Sequence, residues 1–135
     1  MLAKYRAWNK IQKKMVQVYG MSFDKNGILK GIKDEYTEEG EIHLIYDVNN
    51  YELMQATGLK DDDGQDLYEG DIFVSRFSNL VYVVYLDKEK ASFWIKSEAG
   101  DHPLFALTPF HPRIIGNIYE NKDLLEEHVR NYELK

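Results

Sequence analysis

The chain has 135 residues, is 44% hydrophobic, contains no cysteine and carries a formal net charge of -6. This length fits one domain over residues 1–135, long enough to bury roughly 68% of its unfolded surface without a metal or a disulfide. The missing cysteines exclude disulfides, thiolate catalysis and Cys-ligated zinc, and no run approaches the ~20 apolar residues of a membrane-spanning helix. The opening MLAKYRAWNK lacks the apolar stretch of a signal peptide, so a soluble, intracellular protein is expected. Charge is distributed unevenly. Residues 1–33 hold eight Lys or Arg against one acid, and residues 34–71 hold thirteen acids against one base. The two blocks can attract one another within the fold or between copies, or simply form two solvated faces.

In chain order, the aromatic and apolar runs Lys4–Trp8 and Met15–Phe23 predict a hairpin turning at Asn9 to Lys13. Strand alternation sets Tyr5 and Ala7 on one face, with Arg6 and Trp8 on the other. Asn26-Gly27 predicts a tight turn, because both residues tolerate positive φ. Ile28–Ile32 reads as a short strand broken by Gly31. Asp34–Glu41 reads as an acidic, mobile loop, and Ile42–Val48 as a strand. Leu53–Leu59 fits either a strand or one helical turn.

Three strands are then predicted at Ile72–Phe77, Val81–Leu86 and Ala91–Lys96, the last two joined by the charged turn Asp87–Lys90. Ala99–Pro112 contains Pro103, Pro109 and Pro112, which predicts irregular chain. Ile114–Tyr119 reads as a final strand. Asn121–Tyr132 reads as a helix with Asn121 as N-cap and Asp123 in the first turn. Its apolar stripe, Leu125, Val129 and Tyr132, is a candidate surface for a partner or for self-association. Many short strands and one terminal helix make a small, mostly β domain of barrel type.

Few residues form a pattern that chemistry requires. The triplet Asp61-Asp62-Asp63 invites a calcium reading, since Ca²⁺ prefers clustered carboxylates. With Gly64 at the sixth position of an EF-hand loop, however, the first and twelfth positions fall on Leu59 and Gly70, which supply no carboxylate. The triplet therefore reads as a turn whose aspartates accept backbone N–H bonds while Gly64 takes positive φ. Gly70-Asp71 reads as a barrel corner, with the carboxylate on a nearby N–H. No phosphate-binding loop, GxSxG or HExxH pattern occurs. Asp101, His102 and His111, flanking the proline-rich stretch, form the best available metal or acid/base group, against a plain reading as exposed loop residues. The basic residues Lys4, Arg6, Lys10, Lys13 and Lys14, interleaved with Tyr5 and Trp8, form a candidate nucleic-acid surface. Lysines on a hairpin also serve simply to keep an exposed edge from pairing.

Three blocks carry a family resemblance. Lys4-Tyr5-Arg6-Ala7-Trp8 with Lys13-Lys14-Met15 resembles the opening KFRAW…KKM of the YopX family. Thr57-Gly58-Leu59-Lys60-Asp61, with Gly64, Tyr68, Glu69, Gly70, Asp71 and Ile72, resembles its TGLKDxxGxxIYEGDIV. Ile114-Ile115-Gly116-Asn117-Ile118-Tyr119-Glu120-Asn121 resembles its closing VIGNIYENPELL. The departures are Ile11 at a usually polar turn position, Leu67 for Ile, Phe73 for Val, and Lys122 where Pro is common. Pro is favoured at the first helical position, so Lys122 bears on where the tail helix starts.

The resemblance implies a small SH3-type β-barrel-like domain with additional hairpins and a C-terminal α-helix. It also implies a phage or prophage origin and hence a bacterial cytoplasm. The family has no assigned catalytic residues, so none carries over, and no cofactor is expected. The leading expectation is a non-catalytic module that binds another protein or its own copies. Nucleic-acid binding by the basic hairpin is the alternative, and an uncharacterised hydrolase-type enzyme comes third.

Overall fold

The computed structural model describes residues 3–38, 45–104 and 111–129. The chain divides into two compact units, with the boundary between Gln55 and Ala56. It is mostly β, with several hairpins and a C-terminal helix.

In the first unit, β1 (Tyr5–Asn9) and β2 (Lys14–Gln17) pair antiparallel with Ala7 opposite Val16 and Trp8 opposite Met15. Asn9 makes the turn. Its Oδ1 accepts from the backbone N–H groups of Ile11 and Gln12, and its carbonyl accepts from Lys13 N. A second hairpin joins β3 (Gly20–Phe23) to β4 (Leu29–Lys33), with β5 (Tyr46–Asp47) on the far side of β4. Its turn is the expected Asn26-Gly27. Gly27 sits at φ 79°, and Asp24 Oδ1 accepts from Asn26 N and Ile28 N. A single 3-10 turn, Val48–Asn50, leads into β6 (Tyr51–Lys60), whose residues 51–55 pair with β1. Ala7, Ile32 and Tyr51 form the core, with Val16, Val18, Met21, Leu29, Val48 and Leu53 packed around them.

Two sequence expectations need correction here. The run Met15–Phe23 is not one arm of a hairpin but two strands. Val18 N bonds to Tyr5 O while Tyr19 N bonds to Lys33 O, so the chain passes from one ladder to another between these residues. Gly31 does not break its strand either. It is buried within β4, where an added Cβ would meet Ile45 Cγ2 and lie 2.5 Å from Ser22 Oγ, so the glycine permits close approach of its neighbours. Of the acidic segment and the strand expected after it, residues 39–44 lie outside the described residues.

In the second unit, the later half of β6 pairs with β7 (Asp66–Tyr68), Ala56 facing Tyr68 and Lys60 facing Asp66. The expected strands follow as β8 (Asp71–Ser75), β9 (Val81–Asp87) and β10 (Ser92–Ser97). Asp87 turns the chain between the last two by accepting from Glu89 N and Lys90 N. The Lys90 N–H bond is the main reason its carboxyl is held below the usual aspartate range. With β11 (Gly100–Pro103) and β12 (Pro112–Asn117) these strands make one antiparallel sheet, ordered β11-β10-β9-β8-β12 and curled as a half-barrel.

This sheet is covered on both sides, which explains its near-continuous apolar strands. Phe73, Tyr82, Val84 and Ile95 point to one core with Leu67 and Leu104. Phe73 and Tyr82 are cross-strand partners and stack with ring centroids 5.1 Å apart. Ile72, Val81 and Val83 point to the other core, which is closed by Ile118, Leu125 and Val129. The helix α1 spans Lys122–His128.

Of the proline-rich stretch, residues 105–110 lie outside the described residues, and the described ends include strand where irregular chain was expected. Pro103 belongs to an edge strand and Pro112 opens β12, two places where a missing N–H is tolerated. The ambiguous Leu53–Leu59 segment is strand throughout. At the tail, Asn121 makes no side-chain cap, because its Oδ1 accepts instead from Asn117 N at 3.0 Å.

Candidate binding pocket

The residues that mark the sequence most strongly serve the backbone. Asp61 is buried and spends its carboxylate on three N–H donors: Asp63 and Gln65 on Oδ1, and Ile114, 53 residues away, on Oδ2. Asp71 is 1% exposed and accepts from Tyr68 N at 2.8 Å. Between them Gly70, at φ 87°, donates to Val84 O and accepts from Ile118 N. Gly58 and Gly64 also take positive φ, and Thr57 Oγ1 accepts from Leu59 N. In the closing block, Asn117 Oδ1 accepts from Tyr119 N and Glu120 N, and its amide donates to Glu120 Oε1. The side chain of Asn121 fills the space that a Cβ on Gly116 would need.

The candidate surfaces fare differently. Leu125 and Val129 are 5% and 2% exposed and belong to a core of their own unit, so they present no outward stripe, and Tyr132 lies outside the described residues. Among the basic residues, Lys10 pairs with Glu52 at 3.5 Å, while Lys4 and Arg6, like the half-buried Trp8, make contacts within the chain. Lys13 and Lys14 are exposed at the hairpin turn. The loop acids and histidines take separate partners. Asp101 accepts from Tyr85 Oη at 2.7 Å and pairs with Lys96, whereas His111 lies 3.3 Å from Asp62 and edge-on to Phe77. His102 is exposed. No group of three metal-ligating side chains occurs among the described residues.

What the sequence reading missed is a pocket of about 260 Å³ in the first unit. The β1–β2 turn supplies Asn9, Ile11, Gln12, Lys14 and Val16; the segment after β4 supplies Asp34 and Glu35; Tyr46, Asn50 and Tyr51 complete the lining. Tyr51 is buried and donates its hydroxyl to Asp34 Oδ2 across 2.7 Å. Burial first, and then the bond to Asp34 and its charge, push the phenol far above the usual tyrosine range, so it remains a neutral donor. At the rim, Ile11 is 71% exposed at the turn position where the resemblance leads one to expect a polar residue. That departure, and the meeting of basic and acidic blocks, were the only signals available in the sequence.

The comparisons with known proteins agree with this architecture. The family model described as YopX protein matches residues 4–126. The crystal structure of protein EF1440 from Enterococcus faecalis is similar with a TM-score of 0.66 and 26% identity, covering 93% of this chain and 99% of that one. Protein yopX from Bacillus subtilis is similar in fold, with a TM-score of 0.61, 18% identity and 98% of each chain covered. A comparison with curated proteins finds no match.

Proposed function

The chain belongs to the YopX family, and we propose that it serves as a non-catalytic interaction module, binding another protein or a second copy of itself. The observation that carries this reading is the contrast between its polar and apolar surfaces. The signature carboxylates Asp61 and Asp71 are spent on backbone N–H groups, whereas Ile11, Phe23, Ile28, Tyr36 and Ile45 of the first unit are each more than half exposed. Phe23 and Ile28 flank the β3–β4 turn, and β3 ends its sheet among the described residues. An unpaired strand edge beside exposed apolar side chains suits strand addition. No helix among the described residues is long and apolar enough to cross a membrane. The family resemblance supports a setting in the cytoplasm of a bacterium carrying a phage or prophage.

Sedimentation combined with cross-linking tests the reading. Association, or a partner retained from host lysate, is expected for the wild type and is expected to be lost in a Phe23→Ser/Ile28→Ser variant. A strict monomer that retains nothing from lysate overturns it.

A further inference from the structure

We propose that the pocket beside Tyr51 binds an alkylguanidinium, the chemistry of an arginine side chain. The proposal deepens the interaction-module reading and rests on it for the source of the ligand.

Among the described residues, the lining carries two carboxylates, Asp34 and Glu35, against one ammonium, Lys14. None of the ion pairs among the described residues uses Asp34 or Glu35. Tyr51 donates to Oδ2 of Asp34, and a carboxylate has acceptor sites beyond the one that this bond occupies. The pocket is therefore electrostatically suited to a cation and repels an anion.

The walls narrow the choice of cation. Tyr46, 39% exposed, supplies an aromatic ring, which attracts a cation placed over its face. Ile11 and Val16 supply an apolar wall for a methylene stem. A planar guanidinium can stack on a tyrosine and meet a carboxylate with two N–H groups at once, which an ammonium cannot. A volume of about 260 Å³ suits one side chain better than a larger ligand.

The test is an amide NMR titration of the whole chain with agmatine, with N-acetyl-arginine amide, and with N-acetyl-citrulline amide as a neutral isostere. Both cations are expected to shift the amides of Ile11, Gln12 and Asn50 at millimolar concentration, and citrulline is not. Glu35→Gln and Asp34→Asn are each expected to weaken binding about tenfold. Tighter binding of the arginine amide assigns the pocket to a partner's side chain, and tighter binding of agmatine to a free alkylguanidine. Absence of shifts, equal binding of citrulline, or shifts confined to the second unit overturns the proposal. A chain that self-associates but ignores both cations loses only this inference. A monomer that retains no partner yet binds agmatine loses only the interaction reading.

Discussion

Tyr51 donates its hydroxyl to Asp34 Oδ2 over 2.7 Å, tying the first residue of β6 to the acidic segment after β4. Hydrogen bonds to charged acceptors contribute about 1.5–3 kcal/mol. Tyr51→Phe keeps the ring and removes that bond, so a loss of this size is expected in urea denaturation. The pH dependence follows from the raised pKa. The neutral phenol is the form the fold favours, so the contribution is complete below the ordinary tyrosine value of 10.0 and is lost as pH rises beyond it. Ultraviolet titration should show a component ionising above the ordinary range in wild type and not in Tyr51→Phe. A wild type that shows one more tyrosine ionising in the ordinary range than Tyr51→Phe does would show that the pair contributes nothing.

The aspartate triplet offers a contrast among three adjacent carboxylates. Asp61→Ala strands three N–H donors, one of them on β12, and should cost about 3 kcal/mol. Asp63 is exposed, and Asp63→Ala should stay within about 0.5 kcal/mol. Calcium should leave the melting temperature unchanged, because the Asp61 oxygens are already engaged. A calcium-dependent rise in Tm would overturn the scaffold reading.

Gly116 and Asn121 compete for one volume. A Cβ on Gly116 would lie 2.6 Å from Asn121 Cγ, and Asn121 Oδ1 is needed by Asn117 N. Gly116→Ala should therefore destabilise by about 1–3 kcal/mol. In an Asn121→Ala background the added cost should shrink, since the displaced amide is gone. Strict additivity in this double-mutant cycle would refute the coupling.

The basic hairpin provides a test of nucleic-acid binding. Lys10 is paired with Glu52, and the whole chain is acidic. Fluorescence anisotropy with labelled single-stranded DNA should show no saturable binding near ~0.15 M salt, where exposed charges are strongly screened. Binding that persists there, and disappears in Lys13→Ala/Lys14→Ala, would replace the interaction-module reading with a nucleic-acid one.

Much of this was legible beforehand wherever a preference acts over a few residues. Asn26-Gly27, Asp61 to Gly64 and Asp87 to Lys90 are turns because short side chains cap nearby N–H groups or glycine takes positive φ. The strands from Asp71 to Ser97 were visible because apolar β-formers run between those turns. The blocks of the family signature were readable for the same reason, being built of corners and caps.

The tertiary structure decided which neighbours each strand and face received. Nothing local makes Val18 bond to Tyr5 and Tyr19 to Lys33, yet that choice divides one apolar run between two ladders. The Leu125 and Val129 stripe has the same periodicity whether it meets a partner or the chain's own sheet, and Ile72, Val81 and Val83 bury it. The pocket draws on three separate segments, so no single window of sequence contained it. Backbone preferences act within a turn's reach, whereas burial depends on residues brought together from far along the chain. The sequence alone determined the turns, most strands and the family. Only the tertiary structure decided that the tail helix closes a core and that Ile11, Asp34 and Tyr51 meet around an open pocket.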